Sequence, residues 1–123
     1  MRSILFKAKK LSDGKWVKGS LVKTPFGTFI EWYEDSICNK REVDTDTVCQ
    51  STGLKDCEGN EIWEGDIISS PHFERVATVK WDDSLCGFKC SDVTGNINFC
   101  FTAIAHCSEW SIVGNKFDKK SSV

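Results

Sequence analysis

Residues 61–81 read EIWEGDIISSPHFERVATVKW, and this stretch decides the fold class. From position 76 onward the side chains alternate, with Val76, Thr78 and Lys80 on one side and Ala77, Val79 and Trp81 on the other. That two-residue period belongs to a strand with one buried face. Upstream, Glu61-Ile62-Trp63 and Asp66-Ile67-Ile68 flank Glu64-Gly65, which reads as a short strand, a glycine turn and a second strand. Glycine reaches backbone conformations closed to other residues, Asp66 suits a turn whose amides need acceptors, and the paired isoleucines open a buried strand.

The same rhythm extends both ways. Residues 87–93 continue the strand pattern, Thr94-Gly95-Asn96 turns, and residues 97–104, apolar on both faces, predict a central strand. A single helical turn is expected at 106–109, a last strand after Trp110, and a fraying polar tail at 116–123. On the other side, Asp56-Cys57-Glu58-Gly59-Asn60 is a tight turn. Residues 4–9 alternate, 12–15 turn into a strand over 16–23, Pro25 interrupts, and 28–33 form a third run. Residues 34–46 are polar and predict a loop or seam. The expectation is a mainly β chain with minimal helix: an N-terminal β-hairpin subunit (1–35) and a β core (43–115) built as a small, strongly bent sheet or partly open β-barrel. Together they form a single domain over 1–123.

With 123 residues, 40% hydrophobic and 28% charged, the chain has the composition of one globular domain. No apolar run reaches the ~20 residues of a membrane span, and the first ten residues lack a signal-peptide pattern, so a cytoplasmic protein without membrane contact is expected. Charge is distributed unevenly. Arg2, Lys7, Lys9, Lys10, Lys15, Lys18 and Lys23 face only Asp13 in the first stretch, whereas eleven acids between Glu31 and Asp66 face Lys40, Arg41 and Lys55. The basic patch Lys7, Lys9, Lys10, Lys15 and Lys18 can meet phosphate, and opposite charges at the two ends can steer one copy onto another.

Seven cysteines, an odd number at irregular spacing, read as reduced thiols. Cys86, Phe88 and Cys90 fall at i, i+2 and i+4, one face of a strand, which makes the thiols small core hydrophobes. A zinc site from Cys86, Cys90, Cys100 and Cys107, with His106 nearby, is the competing reading, and its spacing lacks two tight knuckles. A cysteine nucleophile paired with His72 or His106 has no local activating signal. No cofactor is expected.

The polar block Thr47, Gln50, Thr52, Lys55, Asp56, Glu64 and Asp66 mixes donors and acceptors beside Trp63, with Trp81 as a further ring. Such groups converging on an aromatic face make a small-molecule site, and the same residues are turn chemistry that a bent β segment needs for its own backbone. The carboxylate pairs Asp82-Asp83 and Glu64/Asp66 suit solvated turns, so a non-catalytic protein is expected.

Residues 43–68, VDTDTVCQSTGLKDCEGNEIWEGDII, resemble the hallmark segment of the YopX family of phage and prophage proteins. Arg2-x-Ile4-x-Phe6-x-Ala8 with Gly14-Lys15-Trp16-x-x-Gly19 is similar to that family's first hairpin. Val79-Lys80-Trp81-Asp82 with Gly87-Phe88 is similar to its barrel strand pair, and Ser108-Glu109-Trp110-x-Ile112-Val113-Gly114-Asn115 to its closing motif. Cys49 stands where the family commonly has glycine, Cys57 replaces a polar residue, and Lys116-Phe117-Asp118-Lys119 replaces an acidic, proline-containing tail. The resemblance implies a β-rich, self-associating phage accessory protein with no agreed activity, at work in the cytoplasm of a host bacterium. The corresponding expectation is a binding protein that acts on a host process, as counter-defence or takeover, by holding a host protein or a small nucleotide-like ligand. In that reading the lysines of the first hairpin meet phosphates and Trp63, Trp81 or Trp32 stacks on a base. A nucleic-acid-binding module and a structural or assembly subunit are the alternatives.

Overall fold

A computed structural model describes residues 4–70, 73–92, 98–100 and 110–118, with the backbone alone at 73–75 and 98–100. The chain is mainly β, in two antiparallel sheets, neither closed into a barrel. It divides into two compact units, one running to Ser51 and the other starting at Thr52.

The first unit is a meander of β1 (Phe6–Lys9), β2 (Trp16–Thr24), β3 (Gly27–Glu34) and β4 (Ile37–Glu42), with the start of β5 (Cys49–Lys55) beside β1. Each hairpin has its turn chemistry. Between β1 and β2, Asp13 accepts the Lys15 amide at 2.9 Å and Gly14 takes φ +73°. Between β2 and β3, Thr24 Oγ accepts the Phe26 amide and donates to the Gly27 carbonyl, both at 3.1 Å. Between β3 and β4, Asp35 and Ser36 both have positive φ, the requirement of a two-residue turn whose twist matches its strands.

β4 corrects the loop expected over 34–46. A strand at the end of a sheet packs on one neighbour only, so it needs no apolar alternation, and Lys40 and Arg41 place charge on its open edge. A 3-10 turn over Thr45–Thr47 follows, its start capped by Asp44, which accepts the Asp46 amide at 3.0 Å.

Alternation along β1 to β3 sends Ala8 and Ile30 inward. With Val43 they form the core of the first unit, lined by Phe6, Val17, Leu21, Trp32 and Val48. A single bridge, Lys10 to Val43, and the Leu11 amide on the Glu42 carbonyl at 3.1 Å bring the ends of β1 and β4 together without extending a ladder. Where β2 passes β3, a Cβ on Gly19 would collide with the Glu31 carbonyl and lie 3.1 Å from Trp32 Cβ. Only glycine permits that approach.

The second unit contains the rest of β5, then β6 (Glu61–Trp63), β7 (Asp66–Ser70), β8 (Phe73–Asp82), β9 (Gly87–Asp92), β10 (Asn98–Cys100) and β11 (Ser111–Asn115). The second of the two sheets has the order β10-β9-β8-β7-β11. The strand–glycine–strand reading of 61–68 holds, with Gly65 at φ +87°. The alternation of β8 is as read: Ala77 and Val79 are buried and join Ile62, Ile68, Cys90 and Trp110 in the core, with Leu54, Phe88 and Ile112 against it.

The strand pair read at 79–82 and 87–88 holds: β9 is folded back on β8, with Val79 opposite Cys90 and Trp81 opposite Phe88. Of the central strand expected over 97–104 only β10 is described, and among the described residues it stands at the end of the sheet order. The helical turn expected at 106–109 lies outside the described residues, and so do His72, His106 and Cys107. Among the described residues no helix is long and apolar enough to cross a membrane.

Candidate functional site

The polar block of the sequence is used largely by the chain's own backbone. In the first unit, buried Thr47 accepts the Lys9 amide at 2.9 Å and donates to the Asp44 carbonyl at 2.8 Å. Gln50 stands opposite Phe6 on β5. In the second unit, buried Thr52 donates to the Ile62 carbonyl at 2.7 Å and accepts the Leu54 amide at 3.2 Å, while Lys55 is exposed at the end of its strand.

Asp56 organises the 56–60 turn: Oδ1 accepts the amides of Glu58 at 3.0 Å and Asn60 at 2.8 Å, and Oδ2 accepts the Ile112 amide at 3.2 Å. Burial pushes its pKa up, and the amides of Asn60, Ile112 and Glu58 outweigh that, so the carboxyl sits below the usual aspartate value. Asp66 is buried, and its two oxygens accept the Trp63 amide at 2.8 Å and the Asn115 Nδ2 at 2.9 Å. Glu64 lies half-buried in the turn before Gly65, where a Cβ would approach Asn115 and Lys116 at 3.4 Å.

The aromatic rings sort differently from expectation. Trp63 is 3% exposed and presents no face for stacking, whereas Trp32 is partly buried against the core of the first unit. Trp81 is 43% exposed at the tip of the β8–β9 hairpin. Its indole N–H donates to Asp83 at 2.7 Å, and it meets Phe88 edge-on at 5.2 Å. Beside it, Asp82 accepts the Ser84 and Leu85 amides and pairs with Lys89 at 2.9 Å. The Ser84 hydroxyl and the Lys89 ammonium hold the Asp82 carboxyl well below the ordinary range.

The lysines of the first hairpin separate into two groups. Lys10 pairs with Asp13 at 3.0 Å in the turn, where Lys15 is exposed. The Lys15 amide and the Lys10 ammonium together lower the Asp13 pKa. Lys7, Lys9 and Lys18 share the outer face of β1 and β2 with Trp16: Lys7 is directly opposite Lys18, and Lys9 directly opposite Trp16. The ammonium groups of Lys7 and Lys9 lie 4.5 and 5.4 Å from the centre of the Trp16 ring. Two cations on one indole make a compact basic and aromatic surface.

Sequence reasoning picked the lysines and missed Trp16. Its signal was available: the Lys7-x-Lys9 alternation and the length of the 10–15 turn together place position 16 opposite position 9.

The cysteines also divide. Cys86 is exposed in the 83–86 turn at φ +50°, so it does not continue the strand face of Phe88 and Cys90, because the chain reverses there. Cys90 and Cys49 are buried, Cys38 and Cys57 exposed. Cys49 lies in β5 and donates its thiol to the Thr47 carbonyl at 3.3 Å. The Cys100 side chain and Cys107 are outside the described region, and among the described residues no three His, Cys, Asp or Glu side chains gather as a metal-holding group.

A family model described as YopX protein matches residues 5–120. The chain belongs to the YopX family. A solved structure, protein EF1440 from Enterococcus faecalis, is similar at 20% identity with a TM-score of 0.55, covering 94% of each chain. That likeness is one of fold. No curated protein matches. The family match takes in the residues of the first hairpin, the 56–66 turns and the 110–115 closing motif together.

Proposed function

We propose that this YopX protein is a phage-borne, non-catalytic accessory protein that acts on a host process by capturing an anionic partner on the outer face of its first hairpin. The observation that carries this reading is the placement of Lys7 and Lys9 over Trp16, with Lys18 across from Lys7. Ammonium groups on adjacent strands supply charge-assisted hydrogen bonds to phosphate or carboxylate, and the indole supplies an apolar plane beside them. The turn block supports the same division of labour, since Asp56, Thr52 and Asp66 serve the backbone of their own unit.

Native mass spectrometry of the protein purified from phage-infected and uninfected bacteria tests the reading. The expected result is an added mass, released on denaturation, that a Lys7→Glu/Lys18→Glu variant fails to retain. A bare chain from both cultures, or retention unchanged in the variant, counts against it.

A further inference from the structure

We infer that the outer edge of β4 is a docking edge for β4 of a second copy of this chain, the two strands running antiparallel about a two-fold axis with Asn39 opposite Asn39. The inference is separate from the hairpin-face reading, since it uses neither Trp16 nor the lysines beside it.

Backbone phase determines which groups of β4 are available. Asp35 and Ser36 form a two-residue turn, so Glu34 and Ile37 close the hairpin as a hydrogen-bonded pair, and such pairs alternate along an antiparallel ladder. Ile37, Asn39 and Arg41 therefore direct their amides and carbonyls to β3, and Cys38, Lys40 and Glu42 direct theirs away from it. Bonds at the end of the strand agree: the Val43 amide returns to Thr28 of β3 at 2.9 Å, whereas the Glu42 carbonyl faces outward and accepts the Leu11 amide at 3.1 Å. The outward Lys40 carbonyl is covered by the chain's own Arg41, whose Nη1 donates to it at 2.9 Å. Among the described residues no strand pairs with this edge from Cys38 to Arg41, and β4 ends its sheet order. Such an edge is a template for strand addition.

Phase and chemistry together select the occupant and the register. Opposed residues of an antiparallel pair both face the ladder or both face away, so two β4 strands meet with Cys38, Asn39 or Lys40 on the axis. Lys40 on the axis sets two ammonium groups directly opposite each other. Cys38 on the axis draws Asp35 and Ser36, with their positive φ, into the ladder. Asn39 on the axis sets Cys38 of each copy against Lys40 of the other, and the outward amides and carbonyls of both residues are then paired in both copies. Arg41 of one copy, released from the Lys40 carbonyl, lies opposite Ile37 of the other. Its stem covers that isoleucine, and its guanidinium comes within reach of Glu34, the β3 partner of Ile37. On the other face Lys40 lies opposite Cys38 and next to the ring of Tyr33, the β3 partner of Cys38. Tyr33 and Ile37, 70% and 65% exposed in the single chain, are the apolar groups this register covers. The basic end of the strand thus matches the acidic and apolar end of its own copy, and a two-fold pairing closes after two chains.

The test is sedimentation equilibrium of the full chain over a wide concentration range, with thermal melting of every variant to confirm folding. The expected result is a mass rising from one chain to two. Lys40→Pro removes an amide that points away from β3, a position where an edge strand tolerates proline. It deletes two hydrogen bonds per dimer and is expected to weaken association about tenfold or more, whereas Lys40→Gln, which keeps the amide, is expected to weaken it less. Arg41→Glu sets like charge against Glu34 of the other copy and is expected to weaken the dimer without any change to the backbone. Register is read by mild oxidation with oxidised glutathione. Asn39→Cys in a Cys38→Ser background is expected to give a covalent dimer above the level of Cys38→Ser alone, and Arg41→Cys in the same background is not. A single chain at every concentration overturns the inference. A dimer indifferent to both Lys40→Pro and Arg41→Glu, or one that cross-links at position 41 and not at 39, overturns it as well, and none of these results bears on the hairpin-face reading.

Discussion

Asn115 donates its side-chain amide to the carboxylate of Asp66 at 2.9 Å, and both side chains are buried. The other oxygen of Asp66 accepts the Trp63 amide, and the Lys116 amide reaches the Gly65 carbonyl at 2.9 Å. At the other end of β11, Asp56 accepts the Ile112 amide while the Cys57 amide donates to the Trp110 carbonyl at 2.9 Å. Two turns of the 56–66 segment thus fasten both ends of the closing strand, each with one carboxylate. The 56–66 turns and the closing strand of this chain thus satisfy polar groups of one another.

Removing that fastening has a definite cost. Asp66→Ala leaves the Trp63 amide and the Asn115 side chain without this acceptor in a buried place, and each such group costs about 1–3 kcal/mol. The expected loss is about 2–5 kcal/mol in urea unfolding, and Asn115→Ala is expected to lose less because Asp66 keeps the Trp63 amide. Equal stability of Asp66→Ala and wild type would remove the structural role.

Asp56 makes stability depend on acid. Its folded pKa lies below the ordinary value of 3.8, because the amides it accepts outweigh the effect of burial. A depressed carboxyl contributes stability that is fully present above its unfolded pKa and is lost as pH falls through the folded one. Asp56→Asn is therefore expected to be less stable than wild type at pH 7, with the gap narrowing below about pH 4. Urea midpoints measured from pH 7 down to pH 3 give both curves, and a gap independent of pH would contradict the assignment.

Two glycines separate close approach from open space. Gly19→Ala pushes a methyl into the Glu31 carbonyl, a backbone atom that cannot swing away. A loss of about 1–3 kcal/mol is expected. At Gly114 a Cβ meets nothing within 4 Å, so Gly114→Ala is expected to stay within about 0.5 kcal/mol of wild type. Thermal melts of the two variants side by side decide the point.

The thiols report burial directly. Brief alkylation of the native protein followed by peptide mapping is expected to modify Cys38, Cys57 and Cys86 and to spare Cys49 and Cys90 until denaturant is added. Cys90→Ser, which puts a hydroxyl opposite Val79 in the core, is expected to destabilise by about 1–3 kcal/mol. Rapid native labelling of Cys90 would mean that the core opens readily.

The strands, their turns and the family were legible in the chain itself, because period-two alternation and Asp, Gly and Thr turn chemistry act over a few residues. Ala77 and Val79 in the core, the turn at 56–60 and the Gly65 reversal follow from such local rules. Strand β4 was not legible, since an edge strand exposed on both faces carries no alternation to read. Cys86 was misplaced because one turn moved it off the face it shares, by count, with Phe88 and Cys90.

The allocation of the polar and aromatic residues was decided only by tertiary structure. Sequence proximity gathers Thr52, Asp56, Trp63 and Asp66 into an apparent site, but strand pairing spends these polar groups on backbone amides and carbonyls and buries the ring. Cross-strand register ties Ile112 to Asp56 across 56 positions, whereas Trp16 meets Lys7 and Lys9 within one local hairpin. Local sequence sets which residues can form strands and turns; which side chains then meet depends on long-range pairing that no single stretch encodes.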